Sequence, residues 1–129
     1  MKPFLKWPGG KRRIVDQLKD RMPGDYADRV YVEPFMGGGA LYFEIEPQAA
    51  ILGDANPCLI RTYAYARDRG PQLIQRLKRD YLDRNDSDSY YSIRDQFNRR
   101  SVFGVDQAAQ FVYLNKTCFN GLFRVNSDG

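Results

Sequence analysis

Three glycines and one acid carry the clearest chemistry in this chain. The run Tyr31-Val32-Glu33-Pro34-Phe35-Met36-Gly37-Gly38-Gly39-Ala40 reads as a short buried strand, then a glycine loop, then a helix. Glycines at the end of a strand let backbone approach a ligand closely, because no Cβ stands in the way. The helix that follows turns its free N–H groups toward the same spot. Asp54 follows the glycines at close to the roughly 20 positions that separate a glycine-rich fingerprint from its ribose-binding acid. A carboxylate there accepts both hydroxyl protons of a ribose and fixes a nucleoside beside the loop.

This pattern alone fits a nicotinamide dinucleotide as well as S-adenosylmethionine. Two features favour the second. The glycines follow Glu33-Pro34-Phe35 and depart from Gly-x-Gly-x-x-Gly, since Tyr42 occupies the last position. The N-terminal loop also supplies Trp7 and Lys11, suited to cover an adenine or sulfonium ligand and to pair with its carboxylate.

Composition narrows the field. The chain has 129 residues, at most one ordinary domain in length. No apolar run approaches the roughly 20 residues that cross a bilayer, and Met1 to Trp7 lacks the apolar core of a signal peptide. Histidine is absent, which removes His-based triads and His-ligated metals. Cys58 and Cys118 make no metal or redox spacing and read as reduced thiols of a cytoplasmic protein. The formal charge of +4 suits a nucleic-acid partner. Its distribution says more: Lys2, Lys6, Lys11, Arg12 and Arg13 all precede the first acid, Asp16, with Trp7 and Gly9-Gly10 set among them.

Several elements must position these residues. Phe4 to Lys11 is a loop, broken by Pro8 and two glycines. It leads to a helix over about 12–21 with Ile14, Val15, Leu18 and Met22 on one face. A strand over 29–33, a helix over 40–45 and a second apolar strand, Ala50-Ile51-Leu52-Gly53, complete the frame, with Asp54 at its carboxyl end. Asn56-Pro57 then starts a helix, proline taking its favoured first position. Strand, glycine loop, helix, strand and acid in that order is the start of a doubly wound α/β unit, in which ligands bind beyond the carboxyl ends of the strands.

From Leu59 to about Phe111 the periodicity is helical. Leu59, Ile60, Tyr63 and Ala66 form one apolar face, and Leu73, Ile74, Leu77, Tyr81 and Leu82 another. Ser87-Asp88-Ser89 reads as the cap of a helix bearing Tyr90, Tyr91, Ile93 and Phe97. Arg76, Arg79, Arg84, Arg94, Arg99 and Arg100 are mostly matched by nearby aspartates. A last helix spans about 106–114. Asn120-Gly121 signals a turn, and 122–126 alternates as a strand.

Four stretches together resemble the Dam-type, D12-class adenine-N6 DNA methyltransferases, in register from residue 4 onward. They are Phe4-Leu5-Lys6-Trp7-Pro8-Gly9-Gly10-Lys11, Val32-Glu33-Pro34-Phe35-Met36-Gly37-Gly38-Gly39, Asp54-Ala55-Asn56, and the run from Tyr113 to Asn126. The resemblance implies a fold of class α/β: the start of a Rossmann-like sheet of an S-adenosylmethionine-dependent methyltransferase, plus a mostly helical target-recognition region with a β-hairpin. It implies that residues 1–58 belong to the cofactor-binding domain and 59–129 to the target-recognition region. Trp7, Lys11, Phe35, Gly37, Gly39 and Asp54 would contact S-adenosylmethionine. Lys6 would face double-stranded DNA, and Phe119, Asn120, Leu122 and Arg124 would enter it. An arginine bidentate to guanine discriminates by about 1–3 kcal/mol, and Phe119 and Leu122 offer apolar surface to unstacked bases. The implied setting is the cytoplasm of a bacterial or phage-infected cell, with no membrane partner.

The family's catalytic motif, Asp-Pro-Pro-Tyr or a close variant, does not occur in these 129 residues. Asn56-Pro57-Cys58-Leu59 lacks its second proline and its aromatic. In the family that motif follows the recognition region and brings a strand that pairs beside Tyr31–Glu33. The expectation is therefore an N-terminal part of a methyltransferase, inactive alone, with a second chain as one source of the C-terminal half. Two other readings are a non-catalytic DNA-binding remnant and a nicotinamide oxidoreductase. The last leaves Lys6-Trp7 and the Asn120–Arg124 run without a role.

Overall fold

The computed structural model describes residues 1–122, which belong to two compact units divided between Asn56 and Pro57. The first is a small parallel sheet with short helices. The second is all helical over the described residues.

In the first unit, Lys11–Ile14 forms a 3-10 turn that passes into helix α1, Val15–Lys19. The single helix expected over 12–21 is thus shorter and tighter at its start. Val15 is buried, whereas Ile14, expected on the same face, is exposed. Strand β1 is Tyr31–Glu33 and strand β2 is Ala50–Leu52, paired in parallel with Val32 opposite Ile51. Helix α2, Ala40–Ile45, joins them. It ends where Glu46 turns left-handed (φ 45°), ahead of Pro47. Its single buried residue, Phe43, joins Leu5, Val15 and Met36 among the buried apolar residues of this unit.

The strands depart from expectation on one face. β1 was expected to be buried, but Val32 is 58% exposed, Ile51 opposite it 64%, and Val30 just ahead of β1 57%. Side chains alternate across a strand, so these residues share one side, while Tyr31 and Glu33 take the other. Local sequence reports that a residue is apolar. It does not report whether anything covers it.

In the second unit, α3 spans Pro57–Asp80, α4 Ser87–Arg99 and α5 Val105–Thr117. Proline at the first position of α3 loses no bond, since that N–H has no partner in a helix. Pro71 has no such freedom; Arg69 leaves helical geometry (φ −138°, ψ 33°) and kinks α3 ahead of it. Leu59, Thr62 and Leu73 are buried on α3, and α5 presents a nearly continuous buried run from Gln107 to Tyr113. Leu73, Ala108 and Ala109 form the centre, flanked by Leu77, Tyr81 and Phe103. Ile74 and Leu82, assigned to that face from the sequence, are exposed.

The cap of α4 is also displaced by one residue from the expected Ser87-Asp88-Ser89. Asp86 accepts the Ser89 N–H at 2.8 Å and the Ser89 hydroxyl at 2.7 Å. α5 runs three residues beyond its expected end at Leu114. Arg76 reaches Asp80 (2.9 Å) and Asp106 (2.5 Å), and Arg100 reaches Asp106 (3.3 Å), so most of the arginines are matched as the sequence indicates. No helix among the described residues is long and apolar enough to cross a membrane.

Candidate functional site

The glycine loop begins where the β1–β2 ladder runs out. Gly53 N–H donates to the Glu33 carbonyl (2.9 Å), and Met36 N–H donates back to the Gly53 carbonyl (2.8 Å). This carries the pairing past both strands and pins the first half of the loop. Met36 then turns inward and is 2% exposed, which leaves Phe35 outside at 76%. Gly39 N–H closes on the Met36 carbonyl, and the Gly39 carbonyl accepts the first bond of α2 from Phe43.

Two loop positions require glycine. Gly39 has φ 68°, and a Cβ there would lie 2.7 Å from Met36 Cε and 3.0 Å from Phe43 Cε2. Gly37 has φ 53°, and its Cβ would stand 3.0 Å from Trp7 Cδ1. The indole therefore lies directly on the loop, held there because the N-terminal segment turns at Gly9 with Gly10 N–H bonded to the Trp7 carbonyl.

Asp54 reaches across from the end of β2. Its Oδ2 accepts the Gly37 N–H at 2.8 Å, and its Oδ1 accepts the Asn56 N–H at 2.9 Å. The carboxylate is half-buried, and each oxygen keeps lone-pair capacity for another donor. Lys11 meets the loop at Phe35. Its Nζ donates to the Phe35 carbonyl (2.7 Å) and to Glu33 Oε1 (2.9 Å), while Glu33 Oε2 accepts the Tyr31 hydroxyl (2.8 Å). Burial, followed by the neighbouring carboxylate, pushes the Tyr31 hydroxyl well above the usual phenol range, so it remains a donor.

Trp7, Lys11, Phe35, Gly37, Gly39 and Asp54 thus come together at the carboxyl end of the sheet, although they are scattered over the first 54 residues. Lys11 has a partner that its place in the sequence does not announce, Glu33. The available signal was an acid inside an apolar strand, two residues after a tyrosine on the same face.

Lys6 is exposed in the N-terminal loop. In the second unit, Phe119 opens a 3-10 turn, Phe119–Gly121, and is 79% exposed. Leu122 is half-buried and donates its N–H to the Phe119 carbonyl (3.1 Å). The turn at Asn120-Gly121 is present, with Gly121 at φ 68°. The Asn120 side chain, Arg124 and the rest of the strand expected to residue 126 lie outside the described residues.

A family model for the D12 class N6 adenine-specific DNA methyltransferases matches residues 7–129. The chain belongs to that family. Similar proteins carry names of the same kind. Type II methyltransferase M.MjaIII of Methanocaldococcus jannaschii is 37% identical over 144 residues, covering 100% of this chain and 50% of that protein. Type II methyltransferase M1.LlaDCHI of Lactococcus lactis subsp. cremoris is 41% identical, covering 98% and 45%. The DNA adenine methylase of Serratia marcescens is 36% identical, covering 98% and 46%. The chain spans about half the length of these curated relatives. Mixed helix and strand with a small parallel sheet is consistent with the start of an α/β methyltransferase.

Proposed function

We propose that this chain is the cofactor-binding and target-recognition part of a site-specific adenine-N6 methyltransferase acting on duplex DNA. The observation that carries this reading is the meeting of Trp7, Phe35, Lys11, the glycine loop and Asp54 at the carboxyl end of β1 and β2. Ligands of open α/β sheets bind at that end, and the first unit would form the beginning of a Rossmann-like sheet. The residues fit S-adenosylmethionine. Trp7 supplies an aromatic face against a loop without Cβ atoms, and Asp54 retains acceptor capacity for ribose hydroxyls. Lys11 engages two of its three donors within the protein. When bound, the cofactor supplies an electrophilic methyl group on sulfur. The protein holds the nucleoside and fixes the direction in which that group is offered.

In the second unit, residues 59–129 would contact DNA. Phe119 and Leu122 offer apolar surface to unstacked bases, Asn120 and Arg124 offer hydrogen bonds to base edges, and Lys6 approaches the phosphates from the N-terminal loop. With no Asp-Pro-Pro-Tyr in its 129 residues, the chain transfers no methyl group alone. The aromatic and acceptor groups that hold a flipped adenine would then lie outside these 129 residues. The exposed face of Val30, Val32 and Ile51 supports this. Parallel sheets are covered on both sides, and the edge of β1 that is unpaired among the described residues would give a further strand its place. A second polypeptide carrying the C-terminal half is one way to supply both.

The exposed Phe119 on its turn also fits a second reading, a DNA-binding remnant that performs no reaction. Equilibrium dialysis with labelled S-adenosylmethionine decides between them. Saturable binding by the purified chain supports the first. No cofactor binding, with duplex DNA still retarded in a gel, supports the remnant. Methyl incorporation into adenine by the chain alone would overturn the division of labour proposed here.

A further inference from the structure

Glu33 is an acid in a strand position that is 5% exposed. An ionised carboxylate there is strongly unfavourable unless both oxygens are bonded, and both are. Oε1 receives the Lys11 ammonium and Oε2 the Tyr31 hydroxyl. The lysine carries the connection to the Phe35 carbonyl, so a line of hydrogen bonds runs from Tyr31 through Glu33 and Lys11 to the backbone of the glycine loop. Asp54 braces the same loop independently at Gly37. Besides the backbone bonds of Met36 and Gly39, two side chains therefore hold the loop, Lys11 and Asp54, and the first is fixed by Glu33.

We propose that Glu33 is a positioning residue for cofactor binding: it holds the Lys11 ammonium against the Phe35 carbonyl and neutralises it before any ligand arrives. This rests on the cofactor reading above. Lys11 alone would be a mobile cation, free to attract any anion at a distance. Paired with a buried carboxylate, it offers one directed donor from a fixed place, and the pair carries no net charge. The ligand group that Lys11 meets is then recognised by a hydrogen bond rather than by long-range attraction. Cofactor affinity should consequently change little with ionic strength, since screening acts on net charges exposed to solvent.

The test uses the full chain and its Glu33→Gln, Lys11→Met and double variants, with labelled S-adenosylmethionine in equilibrium dialysis. Each single substitution should weaken binding about tenfold, as expected for a lost charge-assisted hydrogen bond. The double variant should be no weaker than Lys11→Met, because Glu33 acts through the lysine. Losses that multiply in the double variant would overturn the proposal, as would wild-type affinity in a folded Glu33→Gln chain. Tyr31→Phe, a milder change, serves if the Gln variant does not fold. It leaves Glu33 Oε2 without its donor and should cost a few-fold in affinity; no loss would count against the proposal. A fall in wild-type affinity of more than about tenfold between low and high salt would mean that Lys11 acts as an unpaired cation, and that outcome also overturns it. A wild-type chain that binds no cofactor at all sinks the cofactor reading and this inference together. Binding in wild type with no response to the variants sinks the inference alone.

Discussion

The two units of this chain hold their shape by different means. Around the glycine loop the fixed points are polar: two carboxylates, one ammonium and a set of backbone bonds between Glu33, Met36 and Gly53. In the helical unit they are apolar, with Leu73, Ala108 and Ala109 in contact and Ile93 at 1% exposure. Polar bonds with defined directions suit a place where a ligand must find atoms at fixed positions. Apolar burial suits a scaffold, since it is proportional to area and indifferent to direction. The first unit also leaves Val30, Val32 and Ile51 uncovered, so its sheet draws less from burial than its apolar content would allow.

The contrast is broken most directly by removing apolar volume from each unit. Ile93→Ala should cost the helical unit about 2–5 kcal/mol, the loss of a buried side chain plus the cavity it leaves. Val32→Ala, at 58% exposure, should change stability by no more than about 0.5 kcal/mol. Denaturant unfolding of the two variants measures both. A comparable loss from Val32→Ala would mean that the outer sheet face is covered in solution and that the units are not so different.

The glycines sharpen the comparison from within the first unit. Gly39→Ala combines a left-handed backbone with a Cβ 2.7 Å from Met36 Cε, and should cost roughly 2–4 kcal/mol. Gly9→Ala has the same left-handed strain (φ 69°) with nothing within 4 Å, and should cost about 1 kcal/mol. Thermal unfolding of the pair separates strain from collision. Equal losses would show that the close packing of Met36 and Phe43 beneath Gly39 gives way easily.

These cases also show what was legible in the sequence. The glycine loop, α2 over residues 40–45, the proline start of α3 and Asp54 at the end of β2 were readable because each depends on local chemistry: φ preference, a missing N–H, a strand end. Asp54 could be set beside the loop from its spacing after the glycines, and Trp7 and Lys11 from their fitness for the same ligand, but nothing local brings residue 7 to residue 37, so their packing on the loop was not readable. The Glu33–Lys11 pair was not read, because it joins residues 22 apart through a side chain on the inner face of a three-residue strand. Ile74, Leu82 and Val32 were misplaced for the complementary reason: periodicity assigns an apolar face but not the partner that buries it.

A third substitution acts on the bond that joins strand end to loop. Asp54→Asn leaves one carbonyl oxygen for two N–H donors, those of Gly37 and Asn56, and turns an amide NH2 toward the other. A half-buried donor without its acceptor costs about 1–3 kcal/mol. Hydrogen exchange at the Gly37 and Asn56 amides is the measurement; one of the two should lose protection while amides of α5 keep theirs. Loss of protection throughout the chain would mean that Asp54 supports global stability rather than the loop.

The smallest effect belongs to the exposed cap of α4, and it appears through pH. Bonds from the Ser89 N–H and then the Ser89 hydroxyl hold the Asp86 carboxyl below the usual aspartate range. A carboxylate whose value falls on folding adds stability that is complete above its unfolded value, about 3.9. That stability is lost as pH drops through the lower, folded value. Asp86→Asn retains a capping oxygen but cannot titrate. Denaturation midpoints between pH 7 and pH 2.5 should therefore fall slightly less for the Asn variant than for wild type, by a margin below that of any substitution above. Identical pH profiles would mean that Asp86 makes the same bonds in the unfolded chain, and that the cap contributes nothing specific to the fold.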